Sequence, residues 1–205
     1  MHLEILSEQQ IELLPLISQF KREYYLVGGT AIALQIGHRQ SIDFDLFKDK
    51  NLRKSDIYKK IHSTTKNVIN SYEDANQLNL IVNGVKLTFF QFPYEIPKNK
   101  ELKNTIKMPD LLTLSAMKAF ALGKRAKWKD YVDLYFLIKY HFSVEEISVK
   151  AREIFQVEFS EKLFKMQLGY FKGINYDEEV IFLTENPPSE QQIKDFLTAA
   201  SLSGL

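Results

Sequence analysis

The chain has 205 residues, 45% of them hydrophobic, and its 27 basic and 26 acidic side chains give a formal net charge of +1. This balance excludes nucleic-acid binding through a global positive field, and the absence of cysteine excludes disulfides, thiolate nucleophiles and cysteine-ligated zinc. No stretch approaches the ~18 apolar residues of a membrane span and the start has no signal-peptide pattern, so we expect a cytoplasmic protein without membrane contact.

The first predicted helix begins at Ser7, because Ser7 and Gln10 have the spacing of a capping box. Apolar residues then recur at helical spacing and should pack on a sheet: Ile11, Leu13, Leu14, Leu16, Ile17 and Phe20. We expect a structural role for this helix.

Residues 24–36 predict a strand, a tight turn and a second helix. An aromatic and β-branched run is interrupted by Gly28 and Gly29, and the aliphatic stretch over residues 30–36 is closed by Gly37. Two glycines at such a turn let the backbone approach a phosphate, and the free N–H groups at a helix start favour anions. The pattern therefore predicts a phosphate-binding turn.

Residues 41–47 predict the next strand, in which alternation places Asp43 and Asp45 on one face. The apolar residues then lie on the other face: Ile42, Phe44 and Leu46. Aspartate is disfavoured inside strands, so the pair indicates a site in preference to an exposed edge strand. Two such carboxylates can hold a hard divalent cation such as Mg²⁺, with the phosphates of a nucleotide as further ligands. We therefore predict a phosphoryl- or nucleotidyl-transfer site.

A helix is predicted over residues 55–69, with three apolar residues inward: Ile57, Ile61 and Val68. Residues 77–82 and 85–92 are rich in β-formers and flank Asn83-Gly84, the signature of a type I′ hairpin. We expect this hairpin to complete a small mixed sheet with the two earlier strands.

Pro93 and Pro97 end the sheet region, and a polar, lysine-rich stretch follows over residues 98–107. We place a boundary there, between an α/β core over residues 1–104 and a helical lobe over residues 105–205.

The helical lobe is predicted to begin with a helix over residues 108–122, ended by Gly123. Lys118 lies at the edge of its apolar face, either as a lysine whose stem covers apolar surface or as a ligand for phosphate. The basic cluster over residues 124–129 either forms a solvated turn or holds triphosphate or an RNA backbone, with Trp128 available to stack on a base.

A further helix begins near Asp130, which shares a face with Asp133. The two acids are either a helix cap and a favourable first-turn charge, or part of a site. Ser143 and Glu146 form a second capping box, and the rest of the chain is predicted to be helical up to a last helix over residues 190–200.

Two blocks of sequence resemble a known family. Residues 28–30 through 37–39, followed by residues 41–47, resemble the signature of the AbiEii/AbiGii-toxin family of minimal nucleotidyltransferases, in the polymerase β-like superfamily. Residues 117–121 through Arg125 to residues 129–134 are similar to the later motifs of the family. The resemblance implies an α+β fold, in which a polymerase β-like core of a small mixed sheet with helices precedes a C-terminal helical lobe.

The resemblance also implies roles for individual residues. Asp43 and Asp45 would hold Mg²⁺ or Mn²⁺ against a nucleoside triphosphate whose phosphates are cradled by the turn residues: Gly28, Gly29 and Thr30. Arg39 and Ser41 lie beside the metal strand as further nucleotide-binding candidates. The later block supplies Lys118 and Arg125 for the leaving-group charge, and Asp130, which would orient Lys118 or serve as the base.

The family further implies a toxin of a toxin–antitoxin or phage-defence pair, a separately encoded antitoxin, and tRNA or another RNA as acceptor. The wider superfamily carries a third carboxylate on a later strand, where this chain offers no acid but Lys86, Thr88, Phe90 and Gln91. A nucleotide-binding or interaction module without turnover therefore stays an alternative, as does nucleotidylation of a protein hydroxyl.

Overall fold

The structure is a computed structural model that describes residues 1–122 and 124–202. It divides into two compact units, Met1–Asp110 and Leu111–Leu205. Gly123, predicted to end a helix, lies outside the described residues.

Within the described part of the chain, the first unit contains a five-stranded sheet with the order β1-β2-β5-β4-β3. Its strands are β1 (Tyr25–Val27), β2 (Phe44–Lys48), β3 (Val68–Glu73), β4 (Gln77–Val82) and β5 (Val85–Gln91). Strands β2 and β5 are parallel, whereas every other neighbouring pair is antiparallel. The predictions of an α+β fold and a small mixed sheet are therefore confirmed.

Helices and a short ribbon complete the first unit: α1 (Glu8–Ser18), α2 (Gly28–Ile36), α3 (Lys54–His62), β6 (Lys100–Leu102) and β7 (Ile106–Met108). One face of the sheet is the core, because its apolar side chains are fully buried: Leu26, Phe44, Leu46, Leu78, Leu80, Leu87 and Phe89. Phe20, which follows α1, packs on this face with its ring centroid 4.9 Å from that of Phe89. The opposite face carries Asp45.

The hairpin between β4 and β5 has the predicted turn. Asn83 and Gly84 both have positive φ, at 50° and 83°, as a type I′ turn requires. This turn sets the pairing of β4 with β5 along their full length.

Several boundaries differ from the prediction. The helix predicted over residues 55–69 ends at His62, and Val68 begins β3, the outermost strand next to β4. Val68 and Ile69 are β-branched and favour extended backbone, and they pair with Val82 and Ile81 of β4.

Two isoleucines expected to be inward, Ile11 and Ile42, are 48% and 56% exposed. For Ile42 the reason is that β2 begins only at Phe44, so the alternation does not extend back to residue 42. The helix predicted from residue 108 begins instead at Leu111, because Met108 still belongs to β7.

The α-helices of the second unit are α4 (Leu111–Leu122), α5 (Trp128–Tyr140), α6 (Val144–Phe155), α7 (Glu161–Leu168) and α8 (Glu190–Ser201). The prediction that the chain stays helical up to its last helix is wrong over residues 169–189, which contain two glycines and two prolines and form turns and irregular backbone. Phe120 of α4 stacks on Phe155 of α6 with ring centroids 4.0 Å apart. The capping box at the start of α6 is present as predicted, since Ser143 and Glu146 exchange hydrogen bonds.

Candidate active site

Gly28 brings backbone directly against the carboxylate of Asp45. It follows β1 and begins α2, and its φ is +72°. A Cβ atom at this position would lie 2.1 Å from Oδ2 of Asp45. The position therefore requires glycine both for its backbone conformation and for the space that the carboxylate occupies.

The start of α2 is open to an anion. Its N-cap residue, Val27, provides no side-chain hydrogen bond to the first turn. The N–H groups of that turn keep their partial positive charge, which favours a phosphate at this point. Val27 is aligned with Asp45 across β1 and β2, so the start of α2 lies next to the Asp45 carboxylate.

Gly29 lies against two polar side chains of the segment before β2. A Cβ atom there would lie 2.3 Å from Nη2 of Arg39 and 3.4 Å from Oγ of Ser41. Arg39 is only 2% exposed, and its Nη1 donates to the carbonyl of Gln40 at 2.8 Å. A guanidinium is always charged, so Arg39 adds positive charge beneath the glycine turn.

Thr30 fixes the segment that carries Asp43. Its hydroxyl donates to the backbone carbonyl of Asp43 and forms a second hydrogen bond, of 2.8 Å, with Oγ of Ser41. The amide of Gln10 also donates to the Asp43 carbonyl, at 3.5 Å. The hydroxyls of Thr30 and Ser41 are thus buried and engaged within the fold, and direct contact of either with a nucleotide stays a prediction.

Asp43 and Asp45 are both half-buried, Asp43 just before β2 and Asp45 within it. Among the described residues, the Asp45 carboxylate has no hydrogen bond and no ion pair. Two oxygen-donor carboxylates, one of them without a protein partner, fit a hard divalent cation. No group of three or more His, Cys, Asp or Glu converges anywhere in residues 1–122 or 124–202, so a cation here needs ligands from a substrate or from water.

Thr88 occupies the position on the neighbouring strand where a third acid would stand. It is the Cα partner of Asp45 in the parallel pairing of β2 with β5. The sequence showed that β5 lacks an acid, but only the register identifies Thr88 as the facing residue. Lys86 and Phe90 are on the same face, one step to either side.

The second unit contains a buried charge cluster, which consists of Lys118, Arg125, Asp130 and Asp133. Nζ of Lys118 lies 2.8 Å from Oδ1 of Asp130 and 2.9 Å from Oδ2 of Asp133. Nε of Arg125 lies 3.1 Å from Oδ2 of Asp130. Lys118 and both acids are buried, whereas the Arg125 side chain is 54% exposed.

The cluster keeps its members charged. Burial by itself would lower the pKa of Lys118, but the carboxylates of Asp130 and Asp133 raise that pKa above its ordinary value. Burial would raise the pKa of Asp130, but Lys118 and Arg125 hold that pKa below its ordinary value. A carboxylate with a lowered pKa is a weak general base, so the geometry favours the orienting role for Asp130 over the role of base.

The basic cluster over residues 124–129 is largely engaged within the second unit. Lys127 and Lys129 pair with Glu178 at 2.7 and 3.1 Å, and Nζ of Lys124 lies 3.8 Å from the ring centroid of Phe120. Burial would raise the pKa of Glu178, but hydrogen bonds from the two lysines lower it to about 2.

Trp128 is 9% exposed and stacks on Tyr176, with ring centroids 5.4 Å apart. The prediction that this tryptophan is available to stack on a base is therefore wrong. Its ring is instead part of the core of the second unit, because α5 begins at this residue and buries its first turn.

No helix among residues 1–122 and 124–202 has the length and hydropathy needed to span a bilayer.

The chain matches a known family and one sequence relative. Residues 15–103 match the family described as nucleotidyl transferase AbiEii toxin, type IV toxin–antitoxin system. The uncharacterized protein aq_aa25 of Aquifex aeolicus (strain VF5) is 30% identical over 156 residues, which are 73% of this chain and 74% of that protein.

Solved structures share the fold at low sequence identity. The nucleotidyltransferase toxin MenT4 of Mycobacterium tuberculosis H37Rv is 14% identical with a TM-score of 0.65, covering 95% of this chain and 80% of that one. JHP933 of Helicobacter pylori is 17% identical with a TM-score of 0.53, covering 96% and 91%. The family match over residues 15–103 and the 30% identical relative show that the chain belongs to the AbiEii family of nucleotidyltransferase toxins, and the solved structures show that it shares their fold.

Proposed function

We propose that this nucleotidyltransferase is metal-dependent and transfers a nucleoside monophosphate from a nucleoside triphosphate to a hydroxyl of an acceptor such as tRNA. The supporting observation is the contact between the Gly28 backbone and the Asp45 carboxylate at an open helix start. It combines an anion-binding element with a cation-binding one, and a nucleotide with its metal needs both.

Asp43 and Asp45 would hold Mg²⁺ or Mn²⁺. When bound, such an ion supplies Lewis-acid polarisation of a phosphoryl oxygen and neutralises developing charge. The structure supports this assignment through the unpartnered Asp45 carboxylate and through the hydrogen bonds that fix the Asp43 backbone.

The glycine turn would position the triphosphate. Gly28 and Gly29 have no side chains of their own, and the guanidinium of the buried Arg39 lies close to Gly29. Fixed donors and a fixed positive charge need no reorganisation during transfer, so they orient the α-phosphate for in-line attack by the acceptor hydroxyl. Pyrophosphate then leaves.

Lys118 and Arg125 would offset the charge of the leaving group, as the family relation suggests. The cluster has no formal net charge, because Asp130 and Asp133 balance the two cations, so this role belongs to the two cationic groups themselves. Asp130 and Asp133 keep Lys118 protonated, and the partly exposed Arg125 adds a second cation. Lys118→Met should therefore lower the rate of transfer. Asp130 would orient Lys118 and would not itself accept a proton from the acceptor hydroxyl.

RNA is the first acceptor to test, and the family relation suggests a separately encoded antitoxin as partner. The experiment is incubation of the full chain with each α-labelled triphosphate, Mg²⁺ or Mn²⁺, total RNA and cell protein. Label in RNA supports the proposal, and the Asp45→Asn substitution should abolish this labelling. Asp49→Asn is the matched control, because Asp49 is an exposed acid just beyond the same strand.

A binding module without turnover is the second candidate, and the observation that favours it is Thr88 in place of a facing acid. Retention of a labelled triphosphate without incorporation into any acceptor selects this candidate. Label in polypeptide selects instead the nucleotidylation of a protein hydroxyl.

A further inference from the structure

A row of side chains crosses the whole sheet on the face that carries Asp45. The strand registers align Val27 with Asp45, Asp45 with Thr88, Thr88 with Asn79, and Asn79 with Tyr72. We call these residues the Asp45 row. Aligned residues of neighbouring strands direct their side chains to the same face. At ~4.8 Å between strands, Tyr72 lies about 14 Å from Asp45 along the row.

A β-bulge aims Tyr72 at this face. The register between β3 and β4 shifts between Asn70 and Tyr72, so Ser71 is the extra residue. In a regular strand, Tyr72 would lie on the same face as Asn70, two residues earlier, whose amide donates to the hydroxyl of Tyr58 on α3 at 2.8 Å. The bulge places Tyr72 on the other face, opposite Asn79. Bulges commonly re-aim a side chain beside a functional site.

The row and its neighbours present groups that recognise nucleotides. Tyr72 is 48% exposed, and its hydroxyl donates to Oδ2 of Asp74 at 2.7 Å, which holds the ring in place. Asn79 accepts a hydrogen bond from Gln77 at 2.9 Å, and its own amide N–H groups have no partner among the described residues. Lys86, on the same face, likewise has no ion-pair partner in the described part of the chain.

We propose that this face, from Thr88 to Tyr72, binds the single-stranded end of an RNA acceptor, a proposal that rests on the proposed function. Tyr72 stacks on an unpaired base, Asn79 donates to a base edge, and Lys86 contacts a phosphate. The row runs from Asn79 through the largely buried Thr88 to Asp45, so an acceptor held at Tyr72 and Asn79 extends toward the reacting phosphate. A chain with a net charge of +1 lacks the charge to hold a long duplex, which favours a short contact with a few unstacked nucleotides.

The test measures binding separately from transfer. A short, labelled single-stranded RNA is titrated with the full chain and followed by fluorescence anisotropy in Mg²⁺ without triphosphate. Tyr72→Ala and Lys86→Ala should each weaken binding about tenfold. Tyr170→Ala is the matched control, because Tyr170 is an equally exposed tyrosine of the second unit, at 52%. It should bind RNA as the unchanged chain does.

The same variants are then assayed for transfer with α-labelled triphosphate. A raised KM for RNA in Tyr72→Ala, with an unchanged Kd for the triphosphate, supports the proposal. Unaltered RNA binding in both face variants overturns it, even if the unchanged chain labels RNA, as does label confined to polypeptide. If RNA binding depends on Tyr72 but no acceptor is ever labelled, the RNA surface stands and the proposed transfer fails.

Discussion

Oδ2 of Asp45 lies 2.1 Å from the position that a Cβ atom would take at Gly28. The Asp45 carboxylate can therefore contact the start of α2 only because Gly28 has no side chain. The acid provides negative charge for a cation, and the helix start provides partial positive charge for the phosphates that accompany it. The contact arises because β1 and β2 are neighbours with Val27 aligned to Asp45.

Gly28→Ala should abolish transfer and destabilise the fold. A non-glycine residue at φ +72° costs about 1–3 kcal/mol by itself, and the displaced Asp45 adds to that cost. The measurements are the free energy of unfolding in urea and the rate of label transfer.

Gly84→Ala separates the two effects. Gly84 also has positive φ, +83°, but nothing lies within 4 Å of the Cβ position. We expect only the conformational cost there, with transfer retained. Equal retention of activity in both variants would contradict the role assigned to the contact between Gly28 and Asp45.

Thr88→Asp should place a third carboxylate opposite Asp45. Without a cation, two acids on aligned positions repel one another, so the variant should be less stable than the unchanged chain. Mg²⁺ should restore much of this loss and bind more tightly than to the unchanged chain, because a third oxygen donor is added. The measurement is the Tm with and without Mg²⁺.

Thr88→Asn is the control for Thr88→Asp, since it has a similar shape and no charge. It should show no gain in Mg²⁺ response. The same response to Mg²⁺ in both variants would show that the cation does not bind beside Asp45.

The first unit was largely predictable because the elements that form its site have recognisable local sequence patterns. Gly28 and Asp45 are separated by a turn, a helix and a strand, and each of these elements has a local signature. The edge strand β3 was missed because Val68 and Ile69 lie in a polar segment whose extended structure depends on pairing with β4. The β-bulge at Ser71 has no signature in the sequence and follows only from the register.

The second unit was less predictable, since its key contacts are pairings between side chains distant in sequence. Lys118 was expected at the edge of an apolar face, yet it is buried between Asp130 and Asp133. Lys127 finds its partner in Glu178, 51 residues away. Helical periodicity gives the face of a residue but not the partner that meets it. The pairing of Lys118 with Asp130 was therefore expected only from the family resemblance, and the burial of Trp128 was not expected.

Thr30→Val should lower transfer by displacing Asp43, although its shape is nearly unchanged. The substitution removes the hydroxyl that donates to the Asp43 carbonyl and leaves a buried acceptor less satisfied, at a cost of about 1–3 kcal/mol. Ser148→Ala removes a comparably buried hydroxyl, one that donates to Val144 at 2.8 Å in the second unit. Thr30→Val should lose both stability in urea and transfer, whereas Ser148→Ala should retain transfer. Equal rates of transfer in the two variants would contradict the proposal that Thr30 positions Asp43.

Lys118→Met should destabilise the chain by about 3–5 kcal/mol near neutral pH, because it leaves Asp130 and Asp133 buried without their ammonium partner. In the unchanged chain the pKa of Asp130 is lowered from 3.8 and that of Lys118 is raised from 10.5. The ion pair of Lys118 with Asp130 thus makes its full contribution to the free energy of unfolding between about pH 3.8 and pH 10.5. It is lost as pH falls through the lowered pKa of Asp130 or rises through the raised pKa of Lys118.

The Lys118→Met variant should have the opposite dependence on acid. Its buried carboxylates no longer face an ammonium group, so they take up protons more readily when folded than when unfolded. Its stability deficit should therefore be largest near neutral pH and should shrink as the pH is lowered below about 5. Urea unfolding at a series of pH values measures this difference directly. Lys150→Met is the control, because the Lys150 pair with Glu153 is a surface pair worth less than about 1 kcal/mol. A deficit for Lys118→Met that does not change with pH would show that Lys118 contributes by packing of its stem and not by its charge.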